Sequence, residues 1–478
     1  MTSTPSQRLE RIRSILRQHG QEHLLAFWDR LTDVQRDRLL ADIEKIHFAG
    51  IEELIEHNVR QARPFPLPKD IRPAPFYPAA PGIDLVGKYA DAVKRGVSLI
   101  RKNKVCAFVV AGGQGTRLGF PGPKGAFPIS PVRNKPLFQL FAEYIRGTNR
   151  RYGSDLTWYV MTSPQNDEQT RRFFSEHGYF GLSERRVRFF QQGVMPAFSP
   201  DGKILLEAPD RIAFSPDGHG GSLLALRRSG ALAEMAAAGV EYISYWQVDN
   251  PLVKPIDPLF IGLHDLTGSQ MSSKTIPKAD DFERVGNFVI GDGKVQVIEY
   301  SDLPVELARA RDEAGRRKFD AASLGIHVLS RSFVERLTAD DDNFGLPWHR
   351  AVKKVAHVGP DGRRIEPVEP NAVKLEAFVF DAVPLAENPL LLQTTRAEEF
   401  SPVKNATGVD SAETSRRDMN RRAAAWLSGA GFDVPFRPDG EPDGRFEISP
   451  LLALDGGHLR EVMLQPPVIR RGQDHYYE

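Results

Sequence analysis

Four short runs rich in β-branched and aromatic residues constrain this chain more than any other feature: VCAFVVA (105–111), LTWYVMTS (156–163), VRFFQQG (187–193) and EYISYWQVDN (241–250). Turn residues bound each run, and longer helix-like segments separate them. Strands that alternate with helices build βαβ units, so the sequence predicts an α/β fold around a mixed, mainly parallel sheet buried on both faces. In such sheets ligands bind at the carboxyl ends of the strands. The turn after residue 111 is therefore the first place to look for chemistry.

The 478 residues exceed one ordinary domain, and three consecutive spans are expected: a helical segment with a proline-rich strap (1–100), the α/β domain (101–385), and a small β-containing domain (386–478). In LTDVQRDRLLADIEKI, Thr32 and Gln35 have capping-box spacing, and Leu39, Leu40, Ile43 and Ile46 recur on one helical face. RPFPLPKDIRPAPFYPAAPG (63–82) carries seven prolines, which bars both helix and central strand. FVIGDGKVQVIEYSDLP and the tail RFEISPLLALDGG read as hairpins or mixed strands. Lys and Arg number 63 against 62 Asp and Glu, so no global field draws in nucleic acid or an acidic membrane surface. A single cysteine, Cys106, a polar amino-terminus and the lack of a long apolar run lead us to expect a cytoplasmic protein that spans no membrane.

The turn itself is VVAGGQGTRLGFPGPKGAFPIS (109–130). A Walker A loop needs Ser or Thr after its lysine, but Gly125 follows Lys124 and Pro123 precedes it. Gly113, Gly115 and Gly119 are spaced one residue too wide for a dinucleotide fingerprint, which disfavours a dehydrogenase. What remains is a strand ending in Ala111-Gly112-Gly113, where missing side chains let a base or phosphate approach backbone amides. Arg117 and Lys124 follow, two cations across a Gly/Pro-rich turn that can face one polyphosphate from different sides.

GGQGTRLGFPGPKG resembles the signature loop of the UDP-N-acetylhexosamine (eukaryotic-type UDP-N-acetylglucosamine) pyrophosphorylases, within the wider UDP-sugar pyrophosphorylase group. Further similar blocks follow in order to about residue 411. The resemblance implies a Rossmann-like, GT-A-like nucleotidyltransferase domain that converts UTP and a sugar 1-phosphate reversibly into a UDP-sugar and pyrophosphate. It implies that Val110, Gly112 and Gly113 admit the uridine nucleotide while Arg117 and Lys124 cradle its phosphates. FFQQGVMPAFSPDGKILLEAPDRIAFSPDGHGG (189–221) resembles the segment with a uracil-contacting glutamine, here Gln192, and a sugar-facing Pro-Asp-Gly turn at Gly218. YWQVDNPLVKPIDPLFIG (245–262) resembles the strand whose Val-Asp-Asn turn would let Asp249 hold Mg²⁺, a cation that takes few protein oxygens. VGNFVIGDGKVQVIEYSDLP (285–304) puts Gly286, Glu299 and Tyr300 at sugar-contacting positions. NAVKLEAFVFDAVPLAEN (371–388) and RAEEFSPVKNATGVDS (396–411) resemble two downstream blocks, with Phe378 and Phe380 alternating on a strand and Lys404 near the reacting phosphates. A sugar phosphate, with a second pKa of about 6, is already ionised at neutral pH, so the reaction needs no general base.

Two departures concern the sugar. His219 stands in the Pro-Asp-Gly-x-Gly-Gly turn where the resemblance calls for asparagine. Ala-Ala-Ser-Leu-Gly-Ile-His (321–327) replaces an Ala-Gly-Asn-Ile-Ala-Asn-His run, leaving Ser323 in place of a sugar-facing asparagine. A hydroxyl cannot duplicate the paired donor and acceptor of an amide, whereas His219 could donate to a hexose hydroxyl. UDP-N-acetylglucosamine synthesis is the first expectation, UDP-glucose or UDP-galactose synthesis the second. A non-catalytic nucleotide-sugar-binding regulator is the third, and the presence of Arg117, Lys124, Asp249 and Lys404 counts against it. The expected partners are UTP and a sugar 1-phosphate, with the chain a monomer or weak homodimer.

Overall fold

The computed structural model describes residues 5–61, 67–340 and 344–478. Two compact units emerge, the smaller from Met1–Leu67, Gln192–Ala225 and Leu337–Asp381, the larger from Pro68–Gln191, Leu226–Arg336 and Ala382–Glu478. Space therefore divides the chain differently from the three consecutive spans expected. The reason is the apolar face of the amino-terminal helices, which buries against strands drawn from residues 198–212 and 373–375. Residues 63–66 of the proline-rich strap lie outside the described residues.

In the smaller unit the capping box at Thr32 opens the helix Asp33–Ile43. Leu39, Leu40, Ile43 and Ile46 are all buried, packed with Phe198, Ile204, Val373 and Leu375. The strands Val194–Pro196 and Phe214–Pro216 pair antiparallel, as do Trp348–Lys353 and Ala372–Ala377.

The larger unit is built on a ten-stranded sheet. Its strands are β1 (Ile71–Pro73), β2 (Val105–Val110), β3 (Trp158–Thr162), β4 (Val187–Gln191), β5 (Tyr242–Gln247), β6 (Met271–Ile276), β7 (Asn287–Gly291), β8 (Lys294–Ile298), β9 (Ala322–Ser330) and β10 (Leu390–Gln393). The order is β1-β7-β9-β5-β2-β3-β4, with β8 on β7 and β6 between β9 and β10. Strands β5, β2, β3 and β4 run parallel, while β9 is antiparallel to both β5 and β6. The sheet is thus mixed, with a parallel half of α/β type. Val105, Ala107 and Val109 of β2 join Trp158, Trp246 and the helix residues Phe138 and Phe141 in one core. Phe108, on the other face, packs against Tyr245 and Phe190. Two covered faces explain the unbroken apolar run.

β7 and β8 form the expected hairpin, and β1, cut from the strap, pairs with β7 at the sheet edge, where Pro73 can lack an N–H. In the tail, Arg445–Ile448 pairs in parallel with Asp474–Tyr477 instead of forming a local hairpin. Among the described residues no helix is long and apolar enough to cross a membrane.

Candidate active site

The glycine-rich turn leaves the carboxyl end of β2 and folds back on itself. Gly115 N donates to Gly122 O at 2.8 Å and Lys124 N to Gly113 O at 3.1 Å. Lys124 thus returns to the strand end, its Cε 3.8 Å from where a Cβ on Gly113 would stand. Asn166, wholly buried, braces the turn, its Nδ2 donating to Ala111 O (2.9 Å) and Gly113 O (3.2 Å). Val110 O accepts from Val248 N of the neighbouring turn at 3.1 Å. Arg117 is exposed and Lys124 half-buried, and neither side chain has an ion-pair partner among the described residues. Two cations on a turn fixed by backbone bonds and by Asn166, neither of them neutralised by a described residue, suit a polyanionic ligand.

A second group gathers after β5. Asp249 O accepts from Val403 N at 2.8 Å, Asn250 Oδ1 accepts from Ser401 N at 3.2 Å, and Asn250 Nδ2 donates to Glu399 O at 2.6 Å. These bonds join the segment carrying Lys404 to the Asp249 turn. Lys404 Nζ lies 3.4 Å from Asp410 Oδ2. The half-buried Asp249 carboxylate receives no hydrogen bond or ion pair from any described residue. Nor do the described residues form a group of three or more His, Cys, Asp or Glu side chains placed to hold a metal ion. A lone carboxylate fits Mg²⁺, which takes most ligands from water and phosphate, better than it fits a metal needing a full protein cage.

Beneath this turn lies a cation of another kind. Lys274 of β6 is 0% exposed, and its Nζ contacts Asp257 Oδ2 at 2.6 Å and the Glu399 carboxylate at 2.7 and 2.5 Å. Burial alone would raise the Asp257 carboxyl pKa, but the Lys274 and Lys254 ammonium groups hold it below its usual value.

The sugar-facing residues expected on the larger unit converge. A Cβ on Gly286 would stand 3.1 Å from Glu299 Oε1 and 3.8 Å from Ser323 Cβ, and Ser323 N donates to Gly286 O at 2.8 Å. Tyr300 is exposed.

On the smaller unit the Pro-Asp-Gly turn docks on the end of strand Ala372–Ala377. Ala377 N donates to Asp217 O and Gly220 N to Ala377 O, each at 2.8 Å. Gly218 has φ +86°, and a Cβ there would strike the Ala377 carbonyl, so only glycine fits. Gln192 is buried, its Nε2 donating to Asp217 Oδ1 at 3.3 Å. His219 stacks on Phe378 (5.1 Å, 18°), and its Nδ1 accepts from Val379 N at 3.1 Å. That bond puts the neutral ring's proton on Nε2. His349 covers the same phenyl ring at 4.3 Å, its Nε2 2.8 Å from Asp381 Oδ2. Phe378 and Phe380 do not alternate on a strand as expected. The strand stops at Ala377 and a 3₁₀ turn, Val379–Leu385, takes over, yet the two rings still meet at 5.1 Å.

Sequence reasoning missed Asn166, Asp217 and His349. Asn166 precedes a helix and Asp217 sits in a named turn, so both carried a local signal, but their partners lie far along the chain.

Comparison with known proteins adds the family. A family model described as UTP--glucose-1-phosphate uridylyltransferase matches residues 85–418. The chain belongs to this family. Among similar proteins, the human "UDP-N-acetylhexosamine pyrophosphorylase-like protein 1" is 37% identical over 95% of this chain and 94% of its own length. The Arabidopsis thaliana "UDP-N-acetylglucosamine diphosphorylase 1" is 34% identical over 97% of this chain and 92% of its own. Among solved structures, the uridine diphosphate N-acetylglucosamine pyrophosphorylase from Trypanosoma brucei, in complex with an inhibitor, matches with a TM-score of 0.83 and 26% identity. That match covers 100% of this chain and 99% of the other. A uridylyltransferase family fold therefore runs through both units.

Proposed function

We propose that the protein is a uridylyltransferase that makes UDP-N-acetylglucosamine and pyrophosphate from UTP and N-acetylglucosamine 1-phosphate, reversibly. The observation that carries this reading is Lys124, returned to the end of β2 against Gly113 with no anion among the described residues to neutralise it.

A sugar-phosphate oxygen attacks the α-phosphorus of UTP. The new bond is oxygen to α-phosphorus, the bond broken joins that phosphorus to the bridging oxygen, and pyrophosphate leaves with the electron pair. No proton must be removed from the nucleophile, so the work is positioning and charge stabilisation. Gly112 and Gly113 let the nucleotide approach backbone amides, and Arg117 and Lys124 hold its phosphates. Lys404 neutralises the sugar phosphate or the α-phosphoryl group. Asp249 would hold Mg²⁺, which when bound neutralises charge on the phosphates. Gln192, braced by Asp217, offers an amide to the uracil edge. Glu299 accepts from sugar hydroxyls. The buried thiol of Cys106, whose pKa burial pushes up, fits a cytoplasmic setting, and we propose a monomer or weak homodimer.

Ser323, a hydroxyl among the sugar-facing residues, favours a second reading in which the preferred substrate is a plain hexose 1-phosphate. A pyrophosphate-release assay with UTP, Mg²⁺ and a panel of sugar 1-phosphates tests both. Fastest release with N-acetylglucosamine 1-phosphate is expected, a preference for glucose or galactose 1-phosphate supports the second reading, and no release with any sugar overturns both.

A further inference from the structure

Gln247 ends β5, two residues before Asp249. It is in register with Val110 of β2, the strand that feeds the glycine turn, so the two side chains leave the sheet on the same face. Its carboxamide lies along Gly325 of β9. A Cβ on Gly325 would stand 3.0 Å from Nε2, 3.4 Å from Cδ and 3.7 Å from Cγ.

The strand is shaped around that contact. Ser273 of β6 pairs with His327 and Thr275 with Ser323, so β9 advances four residues where β6 advances two. Gly325, at φ +66°, sits in the resulting bulge. Bulges of this kind re-aim side chains beside functional sites, and here the missing Cβ leaves room for an amide that belongs to another strand.

Gln247 is half-buried, yet no described residue hydrogen-bonds its side chain. Other amides are engaged: the buried Gln21 at both ends (Nε2 to Gly202 O, Oε1 from Ile204 N) and the half-buried Gln296 through Nε2 to Gly291 O. A part-buried amide without partners is poised for a ligand that brings both a donor and an acceptor.

We infer that Gln247 is a specificity residue that reads the 2-acetamido group of the sugar, its Nε2–H donating to the acetyl carbonyl and its Oε1 accepting from the acetamido N–H. The inference rests on the uridylyltransferase reading above. Ser323, two residues before Gly325 on β9, and Glu299, which meets it at Gly286, offer a hydroxyl and a carboxylate, groups that suit sugar hydroxyls. The carboxamide absent at Ser323 is supplied by Gln247, across the bulge, and the substrate class is a 2-acetamido sugar 1-phosphate.

The test is the ratio of kcat/KM for N-acetylglucosamine 1-phosphate to that for glucose 1-phosphate, at saturating UTP. Gln247→Met keeps length and shape but removes both hydrogen-bonding ends, and it should lower that ratio by about tenfold or more, chiefly through KM for the acetamido substrate. Gln247→Asn keeps the amide but withdraws it by a methylene, and should fall between wild type and Gln247→Met. Thermal unfolding and UTP binding check that each variant is folded. If Gln247→Met does not fold, Gln247→Asn decides alone. A working wild type with an unchanged ratio in the folded variants overturns this inference only, whereas a wild type that releases no pyrophosphate with any sugar overturns the uridylyltransferase reading and this inference with it.

Discussion

Lys124 and Lys274 belong to one unit, one in the turn that follows β2 and the other on strand β6, and their surroundings are opposite. Lys124 stands half-buried in a turn held by backbone bonds, its ammonium unpaired by any described residue. Lys274 lies wholly inside the sheet, saturated by Asp257 and Glu399. A buried ammonium is tolerable only when neighbouring carboxylates replace the lost water. An unpaired one on the ligand edge invites a substrate anion. The contrast separates the cation that ties elements together from the cation we propose for the chemistry, and Lys404, loosely paired with Asp410, stands between them.

The largest effect should come from breaking the buried partner set. Lys274→Met removes the ammonium that bridges the Asp257 and Glu399 carboxylates and should destabilise the fold by about 3–5 kcal/mol, read as a fall in the urea midpoint. A change under about 1 kcal/mol would erase the contrast. Lys124→Ala should do the reverse, leaving the urea midpoint nearly unmoved while kcat falls by about 10²–10³-fold. Near-normal turnover in the purified variant would remove Lys124 from the chemistry.

His264 shows how the same interior treats a titratable ring. It is buried between Ser272 Oγ (2.8 Å) and Ser330 Oγ (3.0 Å), and burial pushes its pKa down to about 3. The unfolded ring titrates at about 6.5, so the contribution is present above that pH and is lost as pH falls toward the folded value. Relative to His264→Gln, wild-type stability should drop by about 2 kcal/mol between pH 7 and pH 5. An identical difference at both pH values would mean that the ring is not held neutral. The smallest effect is expected from Asp410→Asn, since a part-exposed pair 3.4 Å apart is worth at most about 1 kcal/mol. Its kcat/KM should change by less than about fivefold, and a larger loss would make Asp410 a true positioning partner of Lys404.

The sheet's parallel half was legible because β2 must be apolar on both faces, and the Thr32 cap because its signal spans three residues. The glycine turn was legible for the same local reason. Partnerships across long stretches of chain were not. Lys274 meets Glu399 across 125 residues, Asn166 reaches back 53 to Gly113, and nothing in the local pattern near residues 192–225 or 337–381 ties them to the amino-terminal helices. The bulge at Gly325 and the early end of the strand before Phe378 also depend on packing that a one-dimensional pattern does not carry.

In the proposed reaction, Arg117 and Lys124, unpaired by any described residue, drive a reversible exchange of phosphoanhydride bonds. The most direct measurement runs that exchange backwards: UDP-N-acetylglucosamine, pyrophosphate and Mg²⁺ are mixed with the protein, and UTP and N-acetylglucosamine 1-phosphate are quantified together. Both should appear in equal amounts, and Lys124→Ala should form them about 10²–10³-fold more slowly. Tight binding of UDP-N-acetylglucosamine with no UTP formed would contradict that reaction and leave a nucleotide-sugar-binding regulator instead.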